Sequence, residues 1–419
     1  MHPDSTTKPP QTPVNANIAH PPHLAGDSCP AGAQPAEPAR YLEILGGCAS
    51  RPSKTAPANP AKTPPDSDSK NARRLRFFLQ SAARELLPDS GVAACLRRPI
   101  PGAAAVYVWL SAERKRSYYS NLLTCKLLWE CPVCAARITE RKREELTSGL
   151  AGGQWFTAMA SLTQAHTENE SLSVALNRLT EAYRRFTSGR WFQGFKDRFH
   201  ILATLRALEV THGDRGWHVH YHVLFLADSL WYPSQQLEMQ ALGSLRWREC
   251  LGKVGGSADL IYGFGMTFDE AAKAGYVAKM DDLADLAARW TLADEITKAA
   301  VKKGRGGNRS LNELLYAYAV EDDKAAGQLW QEAAQTLHGS WHLRPSKNFW
   351  PLLGRTEQTD AAICDAEPEP ADQLLASLSL AQWRYIAQIE ARADVLAVAD
   401  LGDTDALWRY LYKLGVPLE

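Results

Sequence analysis

The chain has 419 residues, enough for two or three domains at about 150 residues each, which excludes a single small module. With 45% hydrophobic and 22% charged residues it has an average composition, and no run of about 18 apolar residues exists to span a bilayer, so a membrane-spanning helix and a membrane partner are excluded. Lys+Arg and Asp+Glu balance at 47 each, but residues 71–150 hold 14 Lys/Arg against 7 Asp/Glu while residues 351–419 hold 5 against 12. A basic front half is compatible with nucleic acid and equally with solvated helix faces.

The start, Met1-His2-Pro3-Asp4, lacks the basic patch and apolar core of a secretion signal, and no lipidation motif is evident, so the expected location is cytoplasmic. Of the 24 prolines, 14 lie in the first 65 residues, among Ser, Thr, Asn and Ala without apolar periodicity. Such a segment cannot bury enough surface to offset its conformational entropy, and 1–70 is predicted to be a disordered leader. From Asn71 an Arg-rich helical pattern runs to about Pro88, followed by the β-like run Ala105-Val106-Tyr107-Val108-Trp109-Leu110. Together they open a basic, Cys-rich module over 71–150.

Eight cysteines in a cytosolic chain point to thiols or metal ligands more than to disulfides. Cys131-Pro132-Val133-Cys134 is a tight Cys-x-x-Cys knuckle, with Cys125 upstream and Cys95 before the β-like run. Four thiolates around Zn²⁺ would hold residues 105–110 against the helix carrying Arg141-Lys142-Arg143. Redox chemistry and ordinary buried thiols are the alternatives. Cys29, Cys48, Cys250 and Cys364 show no ligand spacing.

A strand is predicted at Trp155–Thr163, a helix from Leu172 to Phe186, and two apolar runs at 200–211 and 217–227 joined by the turn formers His212-Gly213-Asp214-Arg215-Gly216, which read as an antiparallel hairpin. In Trp217-His218-Val219-His220-Tyr221-His222-Val223, alternation puts His218, His220 and His222 on one face and the apolar residues on the other. A loop of Gly213 to Gly216 sets Glu209 opposite His220 on the same face. Two imidazoles and a carboxylate with open positions suit Mg²⁺ or Mn²⁺ and could hold Zn²⁺, with His218 either a ligand or an orienting neighbour. The bland alternative is a hydrogen-bonded His row on a solvated sheet.

From Phe268 the pattern is helical. Tyr276 and Lys279 stand three apart on one helix face, a spacing that most tyrosines share for packing alone. The basic run Lys302–Arg309 suits phosphates and equally a solvated loop. Acidic, Pro-containing 356–372 is predicted to be a linker, 291–355 a helical extension and 373–419 a small helical tail.

Taken together, these motifs resemble the rolling-circle replication initiators of small plasmids, in the HUH (His-hydrophobic-His) endonuclease superfamily. The resemblance covers most of residues 73–350. Its first motif appears as Ala160-Ser161-Leu162-Thr163, its second as Trp217 to Phe225 and its third as Tyr276-Val277-Ala278-Lys279, and it includes a Cys cluster ahead of the first. It implies an α+β fold whose nuclease domain (151–290) has a central antiparallel sheet flanked by helices, plus the zinc module and a helical C-terminal region. It further implies that His220 and His222 bind the metal and that Tyr276 attacks a phosphodiester in single-stranded or hairpin origin DNA. The products are a 5′-phosphotyrosyl link and a 3′-OH that primes a host polymerase, with a helicase as a further partner. Relatives carry an acid one turn before the tyrosine, where this chain has Ala272; Asp269 and Glu270 are possible substitutes. A relaxase or single-strand transposase shares the chemistry, and a non-catalytic zinc-dependent DNA-binding regulator is the rival from another class.

Overall fold

The hairpin expected at 200–227 forms the middle of the main sheet in a computed structural model that describes residues 69–259, 263–268 and 307–417. In chain order the elements are α1 (Ser69–Leu86), β1 (Ala105–Leu110), β2 (Ser117–Ser120), α2 (Pro132–Ala151), β3 (Phe156–Leu162), α3 (Leu172–Phe186), α4 (Gly189–Arg198), β4 (Ile201–Gly213), β5 (Gly216–Ala227), α5 (Pro233–Gly252) and β6 (Phe264–Phe268). They continue with β7 (Arg309–Ser310), α6 (Leu311–Glu321), α7 (Lys324–Leu337), β8 (Leu343–Pro345), α8 (Phe349–Leu352), α9 (Asp360–Cys364), β9 (Gln373–Ser379), α10 (Leu380–Gln388), α11 (Arg392–Ala399) and α12 (Thr404–Lys413). The architecture is α+β, with helices and antiparallel sheets. The expected leader, 1–70, lies outside the described residues apart from its last two.

The main sheet has the order β6-β3-β5-β4-β7, and β8 also pairs with β4. Strand alternation divides its side chains as the sequence requires. Val219, Tyr221, Val223 and Phe225 of β5, with Leu208 and Val210 of β4, are buried in one cluster with Leu179 and Phe186 of α3, Phe195 of α4 and Trp247 of α5. The Tyr221 hydroxyl lies 3.1 Å from that of Thr180, and Trp247 Nε1 donates to Thr163 O, so the polar tips of these large buried rings are satisfied. On the opposite face a smaller cluster joins Ala203, Leu205, Ala207, Leu224 and Leu226 to Leu146 of α2, Leu343 of β8 and Phe349 and Trp350 of α8. This apolar cover ends where Glu209, His220 and His222 begin.

A second sheet, β2-β1-β9, lies in the Cys-rich region. Here the structure departs from the expected boundaries. Residues 373–379, predicted as the start of a helical tail, are a strand antiparallel to β1, from Ala105 opposite Ser379 to Leu110 opposite Gln373. A short apolar run such as Leu374-Leu375-Ala376-Ser377-Leu378 satisfies strand and helix patterns alike, and pairing with a distant strand decides. Ser379 then caps α10 in a capping box with Gln382, so strand passes into helix without a loop. The expected linker 356–372 contains α9, which buries Ile363 and Cys364, and the expected helical extension supplies β7 and β8 to the main sheet. Module 71–150 is therefore completed from the far end of the chain.

Candidate metal-ligand sites

The β4–β5 turn sets the register that the site needs. Gly213 pairs with Gly216 across the two residues Asp214 and Arg215, tighter than the four-residue loop expected. Gly216 has φ +84°, and a Cβ there would meet Thr167 O at 2.7 Å, so only glycine fits. From this turn the pairing places Glu209 directly opposite His220.

Glu209 Oε2 lies 3.1 Å from His222 Nε2 and 3.5 Å from His220 Nε2, and the two Nε2 atoms are 3.1 Å apart. All three residues are buried, at 6–8% exposure. One ion at ~2.0–2.2 Å from each donor, at tetrahedral or octahedral angles, requires donors ~3.0–3.5 Å apart, and this triangle fits. Two imidazole nitrogens and a carboxylate oxygen here direct lone pairs toward one buried point, the arrangement a cation would accept. A divalent ion satisfies all three donors. Ser161, opposite His222 on β3, places its hydroxyl 3.0 Å from His222 Nδ1, which fixes the ring with Nε2 turned to Glu209 and His220.

His218 stands outside this triangle. Its ring centroid lies 4.8 Å from that of His220 and 5.1 Å from that of His166, and burial, with the neighbouring imidazoles, pushes its pKa down to about 4. Among the four ligands expected from sequence, the structure thus brings three together and sets His218 beside them. Tyr276, Lys279, Ala272, Asp269 and Glu270 lie outside the described residues, as do 302–306 of the basic run. Described chain stops at Phe268, the end of the edge strand β6, and resumes at Gly307 before β7 on the other edge. On β6, Gly265 is opposite Ser161, and the space where its side chain would be is open.

Two residues near this site escaped the sequence reading. In the sequence Ser161 stands out only as part of a motif. Buried His342 edges Trp129 at 5.6 Å between ring centroids, has both ring nitrogens without a partner among the described residues, and is driven to about 3 by burial, with Lys142 adding and Glu209 opposing. No local pattern announces His342, because it reaches Glu209 only through the pairing of Leu208 with the chain ahead of β8.

The cysteines converge as expected. Cys95 and Cys134 Sγ are 3.5 Å apart, Cys125 and Cys134 3.6 Å, and Cys131 and Cys95 3.8 Å. Tetrahedral Zn²⁺ with ~2.3 Å Zn–S bonds sets sulfurs ~3.8 Å apart. Cys131 occupies the N-cap position of α2, with Pro132 in the first turn, and Gln80 Nε2 donates to Cys131 Sγ at 3.3 Å. Hydrogen bonds from Cys125 and the other neighbouring thiols hold Cys134 well below the usual thiol range, whereas burial pushes Cys131 up. Thiolate ligation would couple metal binding to loss of the thiol protons. Cys364, unassigned from sequence, abuts Cys134, whose proximity raises its pKa.

No protein-family model matches the chain, and no solved structure matches it. The chain is similar to "Protein rep" of Streptomyces lividans, 26% identical over 322 residues that cover 61% of this chain and 68% of that one. It is also similar to "Neomycin resistance protein" of Streptomyces cyanogenus, 31% identical over 168 residues, spanning about a third of each chain (33% and 35%). Among the described residues no helix is long and apolar enough to cross a membrane.

Proposed function

We propose that this chain acts in plasmid replication, as a rolling-circle initiator of the HUH type that nicks and rejoins one DNA strand at an origin. The observation that carries this reading is the buried Glu209–His220–His222 triangle on an antiparallel sheet whose edge strand leads, eight residues on, to Tyr276. The similarity to a protein printed as "Protein rep" supports the coarser part, replication. Two strand spacings and three residues of rise put Phe268 ~14 Å from His222, and the eight residues to Tyr276 can span between ~12 Å as a helix and ~26–29 Å fully extended.

In this reading Glu209, His220 and His222 hold Mg²⁺ or Mn²⁺, and Ser161 keeps the His222 ring aimed. The ion's contribution is positive charge against the non-bridging oxygens of the scissile phosphate. Tyr276 gives up its phenolic proton and its oxygen attacks phosphorus. A P–O(Tyr) bond forms, the P–O3′ bond breaks, and the departing 3′ oxygen takes a proton to become the 3′-OH that primes host polymerase. Lys279 adds its ammonium to the charge facing the phosphate. Rejoining is the reverse attack, with the bond energy held in the phosphotyrosine, so no nucleotide is consumed. Cys95, Cys125, Cys131 and Cys134 would hold a structural Zn²⁺.

A relaxase or a single-strand transposase would use the same residues on other DNA, and a zinc-dependent regulator would lack the chemistry. The test is incubation of the protein with Mn²⁺ and labelled single-stranded oligonucleotides from its own replicon. Covalent protein–DNA adducts are expected from the wild type and none from Tyr276→Phe. Absence of adducts from the wild type across the whole origin would overturn the nickase reading in favour of the regulator.

A further inference from the structure

Lined by none of the candidate ligands, an open depression of about 310 Å³ lies between the end of α1, the chain around Arg97 and α10. Arg84, Arg97, Arg98 and Arg384 line it with Gln388 and two alanines, and no carboxylate does. Behind them a single acid, Glu390, accepts from Arg84 at 3.2 Å, from Arg97 in close contact and from buried Arg392 at 2.7 Å. Arg98 and Arg384 are exposed, with no acidic partner among the described residues. Five guanidinium groups against one carboxylate leave an excess of four positive charges around one concavity.

The backbone is built to keep them there. Glu390 follows the C-terminus of α10 with φ 57°, a left-handed position where glycine is the usual occupant and another residue costs ~1 kcal/mol. Leu96 is also left-handed, at φ 49°, its carbonyl accepts from Arg392 Nη1 at 3.0 Å, and the next carbonyl, of Arg97, accepts from Trp383 Nε1 at 2.8 Å. Both follow Cys95, so the thiolate cluster, the buried arginine and an indole all fix the chain that presents Arg97 and Arg98. Gathering like charges on a rigid frame is unfavourable unless an anion completes the site.

We propose that this depression binds the phosphate backbone of double-stranded DNA. Arginine forks match phosphate oxygens, and the lining has no aromatic ring on which unpaired bases could stack, which favours a duplex, its bases turned inward, over a single strand. The choice of DNA as the polyanion rests on the function proposed above.

Anisotropy titrations of a labelled origin-flanking duplex over a range of salt test it. Replacing both exposed residues, Arg98→Gln with Arg384→Gln, is expected to weaken binding about tenfold at low salt and to reduce the slope of log K against log salt by about 2, while Arg98→Lys with Arg384→Lys restores the slope. Affinity and slope unchanged in the Gln pair, or a slope that the Lys pair fails to restore, overturns the proposal. Failure of the nickase reading is separable: a wild type that binds duplex through these arginines yet forms no adduct with single strands overturns nicking alone, and adducts with an arginine-indifferent duplex affinity overturn this site alone.

Discussion

Ser161 does for His222 what spacing along one strand cannot, by fixing from the neighbouring strand which ring nitrogen faces the carboxylate. Removing the hydroxyl with Ser161→Ala leaves three ligands but frees one ring, and Mn²⁺ affinity is expected to fall ~10- to 100-fold with the thermal transition nearly unchanged. His222→Ala, by contrast, removes a ligand. Calorimetric Mn²⁺ titration distinguishes them, and equal affinity for Ser161→Ala and wild type would remove Ser161 from the site. The triangle itself was legible because alternation and the Gly213–Gly216 turn are local: once the turn is placed, Glu209 must face His220. Ser161 and His342 were not, since their neighbours are fixed by β3 lying beside β5 and by residues ahead of β8 lying beside β4, orders that no short window encodes.

At the scale of elements, β9 is the instructive case. Its Leu375, Ala376 and Leu378 are buried in one cluster with Val106 and Val108 of β1, and Trp383 of α10 meets Tyr119 of β2 at 4.8 Å between ring centroids. Losing a ring as buried as Trp383 alone costs ~3–5 kcal/mol. A protein ending at Asp372 is therefore expected to lose the cooperative melting of its Cys-rich region and to bind zinc substoichiometrically, as read by circular dichroism and metal analysis. Wild-type melting and zinc content in that truncated chain would instead establish 373–419 as the removable tail that its sequence suggests. Helices with an apolar period, such as Leu172–Phe186, and the glycine turn before His218 were readable in the chain. The partner of β1 was not, because a strand states its own faces and is silent about its neighbour.

For the whole molecule, the charge asymmetry acquires a structural meaning. Much of the basic front is answered by the acidic end: Arg73 meets Asp400 at 3.0 Å, Lys142 meets Asp360 at 2.7 Å, Lys126 meets Asp365 at 2.6 Å and Arg74 pairs with Asp394. Most such pairs are partly exposed and weak singly. Glu390 is more enclosed: against burial, which would raise it, Arg392 and Arg97 hold its carboxyl down to about 2. A carboxyl depressed from its unfolded value of ~4.3 stabilises the fold above that pH, and the contribution, about 3 kcal/mol, is lost as pH falls toward 2. Urea unfolding should find Glu390→Gln less stable by about that amount at pH 7, with the gap closing as both proteins are acidified below pH ~4; a gap independent of pH would place the cost in packing alone. The pairing of β1 with β9 carries a consequence for biosynthesis. The ribosome releases β1 some 270 residues before its mate emerges, so the nascent Cys-rich region waits with one sheet edge bare, and its sheet closes only once β9 has been made.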